Sequence, residues 1–152
     1  MPYTTADARQ QLLDTLAEAT EALGSALAAL GEAYEQLDER SGDVLEQELF
    51  RPVQLAYGRA RRTHTAFAER HGLAIRTFEP ALPGAPSRRA RGFIDDGVDA
   101  ARRADQGLAT LQDSMLPIEV GDAELRAGLE EVRTLLGDLP ARAREFERTL
   151  GR

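Results

Sequence analysis

At 152 residues, with no cysteine and 26 acidic against 19 basic side chains, the chain has the length of one domain and cannot form a disulfide. Its net charge of −7 argues against general nucleic-acid binding. No run approaches the roughly 18 apolar residues of a membrane span, and Met1-Pro2-Tyr3-Thr4 has neither the basic run nor the apolar block of a signal peptide, so a cytoplasmic protein without a transmembrane segment is expected.

Helix 1 is predicted over 5–40, with Thr4 or Thr5 as cap and Asp7 in the first turn, where the helix dipole favours an anion. Its apolar residues recur in an unbroken 4-3 spacing: Leu12, Leu16, Ala19, Leu23, Ala26, Leu30, Ala33, Leu37. That is the seam of a helix lying along other helices. A second stripe has the same period: Leu13, Ala17, Thr20, Gly24, Leu27, Gly31, Tyr34. A glycine inside a helix costs about 1 kcal/mol against alanine, so Gly24 and Gly31 on one stripe point to close packing there. The packing is either against a second neighbour within the bundle or across a dimer.

Ser41-Gly42-Asp43 reads as a short turn, with Gly42 ending helix 1 and Asp43 capping helix 2, predicted over 43–71. The helix 2 seam is Leu45, Leu49, Val53, Ala56, Ala60, Thr63, Phe67. Its first two steps are both four, so the register gains a residue, and a kink or π-bulge at Glu48–Pro52 would absorb it. Gly72 stops the helix, and 72–86 is a long loop holding Pro80, Pro83 and Pro86. Leu73, Ile75, Phe78 and Leu82 make it apolar, which predicts an ordered segment folding over one end of the bundle. A polyproline docking peptide is the other reading.

Helix 3 is predicted over 87–115, capped by Ser87 and ended by Pro117, with the seam Ala90, Ile94, Gly97, Ala101, Ala104, Leu108, Leu111, Met115. Gly121 forms a turn and Asp122 caps helix 4, predicted over 123–150 with the seam Leu125, Leu129, Val132, Leu136, Leu139, Ala143, Phe146, Leu150 and a bend at Pro140. Four stripes of one period, joined by short, long and short connections, predict an all-α fold: an up-down-up-down, left-handed four-helix bundle in a single domain.

Chemical motifs are sparse. A di-iron bundle needs Glu-x-x-His on two helices, whereas the residues three before His64 and His71 are Arg61 and Ala68. His64 is expected as a partly buried flanking residue. No Gly-x-Ser-x-Gly or phosphate-binding glycine loop is present. Asp95, Asp96 and Asp99 have Arg91, Arg102 and Arg103 nearby and read as a solvated, ion-paired face. No metal, no cofactor and no catalytic residue is therefore assigned, and the chain is not expected to be an enzyme.

The charge is unevenly spread: net −9 over 1–50, +6 over 51–103 and −4 over 104–152. In an alternating bundle the end of helix 2 and the start of helix 3 share a pole. Arg70, His71, Arg76, Arg88, Arg89 and Arg91 would then collect there, either to pair with acidic helix 1 or to form an anion-binding pole. The leading expectation is an interaction module that associates with itself or with another helical protein through Leu13, Ala17, Gly24, Leu27, Gly31 and Tyr34. The alternative is a small-molecule or anion binder using the arginine pole.

Overall fold

The computed structural model describes residues 5–79, 81 and 89–150, and among these every regular element is helical. Helix α1 spans Thr5–Glu35. Its first seam is buried from Leu12 through Ala33, with Leu37 partly buried beyond the helix end. The helix stops five residues before the predicted Arg40 because Asp38 intervenes: its carboxylate accepts the Ser41 amide at 2.7 Å and starts a new helix, α2, over Glu39–Leu45. Gly42 is thus no helix stop. It lies buried inside α2, where an added Cβ would sit 3.2 Å from the Tyr34 ring.

A π-helical turn over Glu46–Phe50 follows, and α3 over Arg51–His71 continues from it with helical backbone throughout. The Arg51 amide bonds the Glu46 carbonyl, five residues back. One such turn absorbs one extra residue, so Leu45, Leu49 and Val53 are all fully buried despite their 4-4 spacing. The insertion expected at Glu48–Pro52 is therefore real and centred two residues earlier. Gly72 ends α3 in the left-handed conformation (φ 65°), and the Leu73 amide closes the turn on the Ala68 carbonyl at 2.8 Å.

Helix α4 spans Ala90–Asp113; the predicted cap Ser87 lies outside the described residues. It ends before Pro117 because the Ser114 hydroxyl donates to the Leu111 carbonyl and accepts from the Leu116 amide. Met115, placed in the seam by its spacing, is consequently exposed, and Pro117 is a buried residue near the start of a short α5, Leu116–Val120. Gly121 (φ 72°) makes the expected turn, and the Asp122 carboxylate accepts the Leu125 amide at 2.9 Å to cap α6, Ala123–Leu136. Helix α7, Leu139–Leu150, starts just before Pro140, so the proline occupies an early position where its missing amide is tolerated.

Side-chain pairs give each helix its direction. Gly24 faces Tyr57, and Asp14 lies near His64, so α1 and α3 are antiparallel. Arg59 meets Glu131, Thr63 meets Gly128 and Arg70 meets Asp122, so α3 and α6 are antiparallel. Asp105 pairs with Arg133, and Arg91 reaches Glu147, so α4 opposes α6 and α7. Helices α1 and α4 share the most extensive contact in the molecule, with Gly97 against Leu30 and Ala26. Because α1 ends five residues after Leu30 whereas α4 runs sixteen beyond Gly97, that contact requires antiparallel packing.

Helices α3 and α4 therefore run in the same direction, both opposed to α1 and to α6–α7. The directions read up, down, down, up, and the alternation expected from the sequence is not found. The reason is the connection between them. Residues 72–89 can extend over roughly 55 Å, more than the ~36 Å length of α4, so the chain can return along the bundle instead of turning at its end. Its described part does so: Arg76 pairs with Glu21, and the Phe78 ring stands edge-on to His64 at 5.1 Å. Residues 76–79 and Ala81 lie along the side of α1 and α3 rather than over one end. Pro80, Leu82, Pro83 and Pro86, which carried the docking-peptide reading, lie outside the described residues.

Candidate interaction surface

The crossover disperses the predicted arginine pole. Arg70 donates through Nε (3.0 Å) and Nη2 (2.8 Å) to the buried Asp122 carboxylate and through Nη1 to Glu124 (2.8 Å). His71 Nε2 lies 2.8 Å from Asp122 Oδ2. Arg76 pairs with Glu21 and lies 5.4 Å above the Phe78 ring. Arg91 donates to the Glu147 carbonyl at 2.9 Å, near the opposite end of the molecule, and Arg89 is exposed beside it in sequence at the start of α4. Asp122 caps the start of α6 and Glu147 lies near the end of α7, so the two partners stand far apart along the molecule. Arg88 lies outside the described residues. No single anion could touch this set.

Several ionisable groups are displaced by their surroundings, His64 and Glu147 among them. Burial pushes the His64 imidazole below its usual value, with Asp14 opposing weakly, and its Nδ1 has no hydrogen-bond partner. The ring is 2 % exposed, more deeply set than its flanking position implied, because Phe78 of the crossover covers it. At the far end, burial and a hydrogen bond that protonated Glu147 donates to Asp95 raise Glu147 to about 7, against the pull of Arg91. This places Asp95 in a carboxyl pair, a role that its neighbouring arginines did not indicate. Among the described residues, no three His, Asp or Glu side chains converge as a metal cage would require.

The second stripe of α1 divides in two. Leu13, Ala17, Thr20 and Gly24 are buried, with Thr20 donating to the Leu16 carbonyl at 2.8 Å. A Cβ on Gly24 would lie 3.4 Å from the Tyr57 ring, so this glycine admits an aromatic neighbour from α3 inside the same molecule. Beyond it the stripe opens. Leu27 and Gly31 are partly buried, Tyr34 is 40 % exposed, and a Cβ on Gly31 would meet nothing within 4 Å among the described residues. Gly31, Tyr34, Glu35, Glu46 and Phe50 line an open groove of about 330 Å³ between α1 and the π turn. The close contact expected at both glycines thus exists at Gly24 and not at Gly31.

Sequence reasoning missed the α3 side of this surface. Phe50 and Tyr57 are seven residues apart, and Arg61 follows four later with its guanidinium 5.3 Å from the Tyr57 ring centroid. The spacing was available as a signal, but the seam of helix 2 drew attention to the opposite face. Comparison with protein-family models, with curated proteins and with solved structures gives no match.

Proposed function

We propose that the protein is a helical interaction module that associates with a second copy of itself through the outer face of α1 and α3. The observation that supports this reading is the groove at Gly31, Tyr34 and Phe50, where an aromatic side chain stands exposed beside a glycine with open space above it. Large aromatics flanked by polar residues are the usual anchors of protein interfaces. The left-handed supercoil expected of 4-3 spacing belongs to the same proposal, as does action in the cytoplasm. Neither a catalytic residue nor a cofactor is assigned a part in it.

Sedimentation velocity over a hundredfold range of concentration tests the reading. A discrete dimer is expected. The variant Gly31→Arg, whose Cβ meets nothing within 4 Å among the described residues, is expected to keep the helical content and leave the monomer at least as stable, since arginine is the better helix former, while weakening the dimer. A wild-type chain that sediments as a monomer throughout would overturn the proposal.

A further inference from the structure

The outer face of α1 and α3 carries opposite charges at its two ends. At one end, Glu35 and Glu46 flank the groove beside Tyr34 and Phe50. About 15 residues along α3, or ~22 Å from Glu46, Arg61 and Arg62 line a second groove with Gly58, Thr65, Ala66 and Glu69. Tyr57 lies between the two, touching the Gly24 position on one side and Arg61 on the other, with crossover residues 76–79 and Ala81 beside it on the α1 side, so the contact proposed here runs past the crossover along α3. All four charged side chains are exposed, and among the described residues none of the ion pairs of the fold uses them. The two acids stand at one end of this face and the two arginines at the other, with Glu69 beside them.

A face of this kind is complementary to itself when one copy is turned end for end. In a two-fold contact, a patch that meets a second patch on the partner is met in return by the same pair. We propose that two copies pair through this face about an axis perpendicular to α3, with Glu35 and Glu46 of each lying against Arg61 and Arg62 of the other. This rests on the self-association proposed above and specifies its geometry. A parallel arrangement would instead set acid against acid and arginine against arginine, which electrostatic complementarity disfavours.

Charge reversal tests the pairing on the full chain, with circular dichroism confirming the fold of each variant. The double variants Glu35→Arg/Glu46→Arg and Arg61→Glu/Arg62→Glu are each expected to weaken dimerisation by at least about tenfold. The quadruple variant carrying both reversals restores complementarity and should dimerise like the wild type. It should fail to form mixed dimers with the wild type, because Glu would then face Glu and Arg face Arg. Native mass spectrometry of a mixture with one isotope-labelled partner reads this directly. A dimer indifferent to both double reversals would overturn the pairing while leaving self-association standing. Growth beyond the dimer would overturn the two-fold axis. A monomeric wild type would remove the underlying reading itself.

Discussion

The two ends of the bundle solve the same problem differently. Where α3 ends and α6 begins, one buried carboxylate, Asp122, satisfies the Leu125 amide, the Arg70 guanidinium and His71 together. Burial alone would push this carboxyl up, but the Leu125 amide, His71 and Arg70 combine to hold it below the usual carboxylate range. Where α4 begins and α7 ends, Glu147 faces Asp95, so two carboxyls share one place and one of them is raised to about 7. The uncovered groove at Gly31 and Tyr34 lies towards that same end, at the close of α1. One end is closed by complementary groups, and the other retains like charges and open apolar surface. The contrast teaches that one end of the core satisfies its polar groups internally while the other leaves a strained carboxyl pair and exposed apolar surface.

The largest effect is expected from breaking the closed end. Asp122→Ala removes the cap of α6 and leaves Arg70 and His71 without their shared acceptor. Losing the cap costs about 1 kcal/mol, and a hydrogen bond to a charged group roughly 1.5–3 kcal/mol. Because Arg70 remains about a third exposed and keeps Glu124, a total of roughly 2–4 kcal/mol is expected in urea unfolding. The pH dependence carries a sign. The folded carboxyl lies below its unfolded value of 3.8, so its contribution is present above that pH and is lost as pH falls through the folded value. Acid unfolding of the wild type should be steeper than that of Asp122→Ala.

Next comes the glycine that lets α6 approach α3. A Cβ on Gly128 would lie 2.3 Å from Thr63 Oγ1 and 2.7 Å from its Cγ2. Thr63 cannot step aside easily, because its hydroxyl is bound to the Arg59 carbonyl at 2.8 Å and β-branching restricts its rotamers. Gly128→Ala should therefore destabilise by about 1–3 kcal/mol through overpacking, despite alanine's better helix propensity. A rise in thermal midpoint would show that α6 can move away from α3 at little cost.

Apolar spacing and chain direction differ in how far the sequence reveals them. The seams of all four long stripes are buried almost residue for residue, because a 4-3 pattern is a local consequence of helix pitch. The 4-4 step at Leu45, Leu49 and Val53 likewise announced its π turn. The break at Asp38 was harder to see, since its cap competes with an equally plausible turn at Gly42 a few residues later. Chain direction was not local at all. It depends on whether the 72–89 connection turns at once or travels the bundle, and composition is the same in either case. The arginine pole rested wholly on that choice and was lost with it. Gly24 and Gly31 show the same limit at smaller scale: equal positions on one stripe, one facing Tyr57 and the other facing nothing.

The open end can be probed by titration. Glu147 titrates at about 7 in the folded chain against 4.5 unfolded, so the fold binds the extra proton in between. Its stabilising contribution is complete below the unfolded value and is lost as pH rises through about 7. Glu147→Gln keeps the hydrogen bond to Asp95 without the second charge, so it should gain stability over the wild type at pH 8 and little at pH 4. His64 runs the other way: its folded value is depressed, so stability falls as pH drops below the unfolded 6.5 and on through the folded value. Thermal midpoints across pH 4–9 for the wild type and Glu147→Gln separate the two, and equal slopes on the alkaline side would show that Asp95 and Glu147 do not share a proton.

The smallest effect is expected at Gly31, and it bears most directly on the contrast between covered and uncovered surface. Glycine in a helix interior costs roughly 0.8–1 kcal/mol relative to alanine, and that cost is ordinarily recovered where a side chain would collide. At Gly24 the Tyr57 ring is 3.4 Å from the added carbon, so the methyl of Gly24→Ala would pack in ordinary contact against an aromatic neighbour. At Gly31 nothing lies within 4 Å among the described residues, so in the monomer Gly31→Ala should simply stabilise, raising the midpoint by about 2–4 °C. The measurement is made at dilution, where any dimer has dissociated. At higher concentration the two contributions oppose each other, because the same methyl group intrudes on the groove that a second copy is proposed to fill. A midpoint that rises on dilution relative to the wild type, yet gains less as concentration increases, is the pattern expected of a glycine kept for a partner. A fall at every concentration would mean that the groove at Gly31 is closed within the monomer.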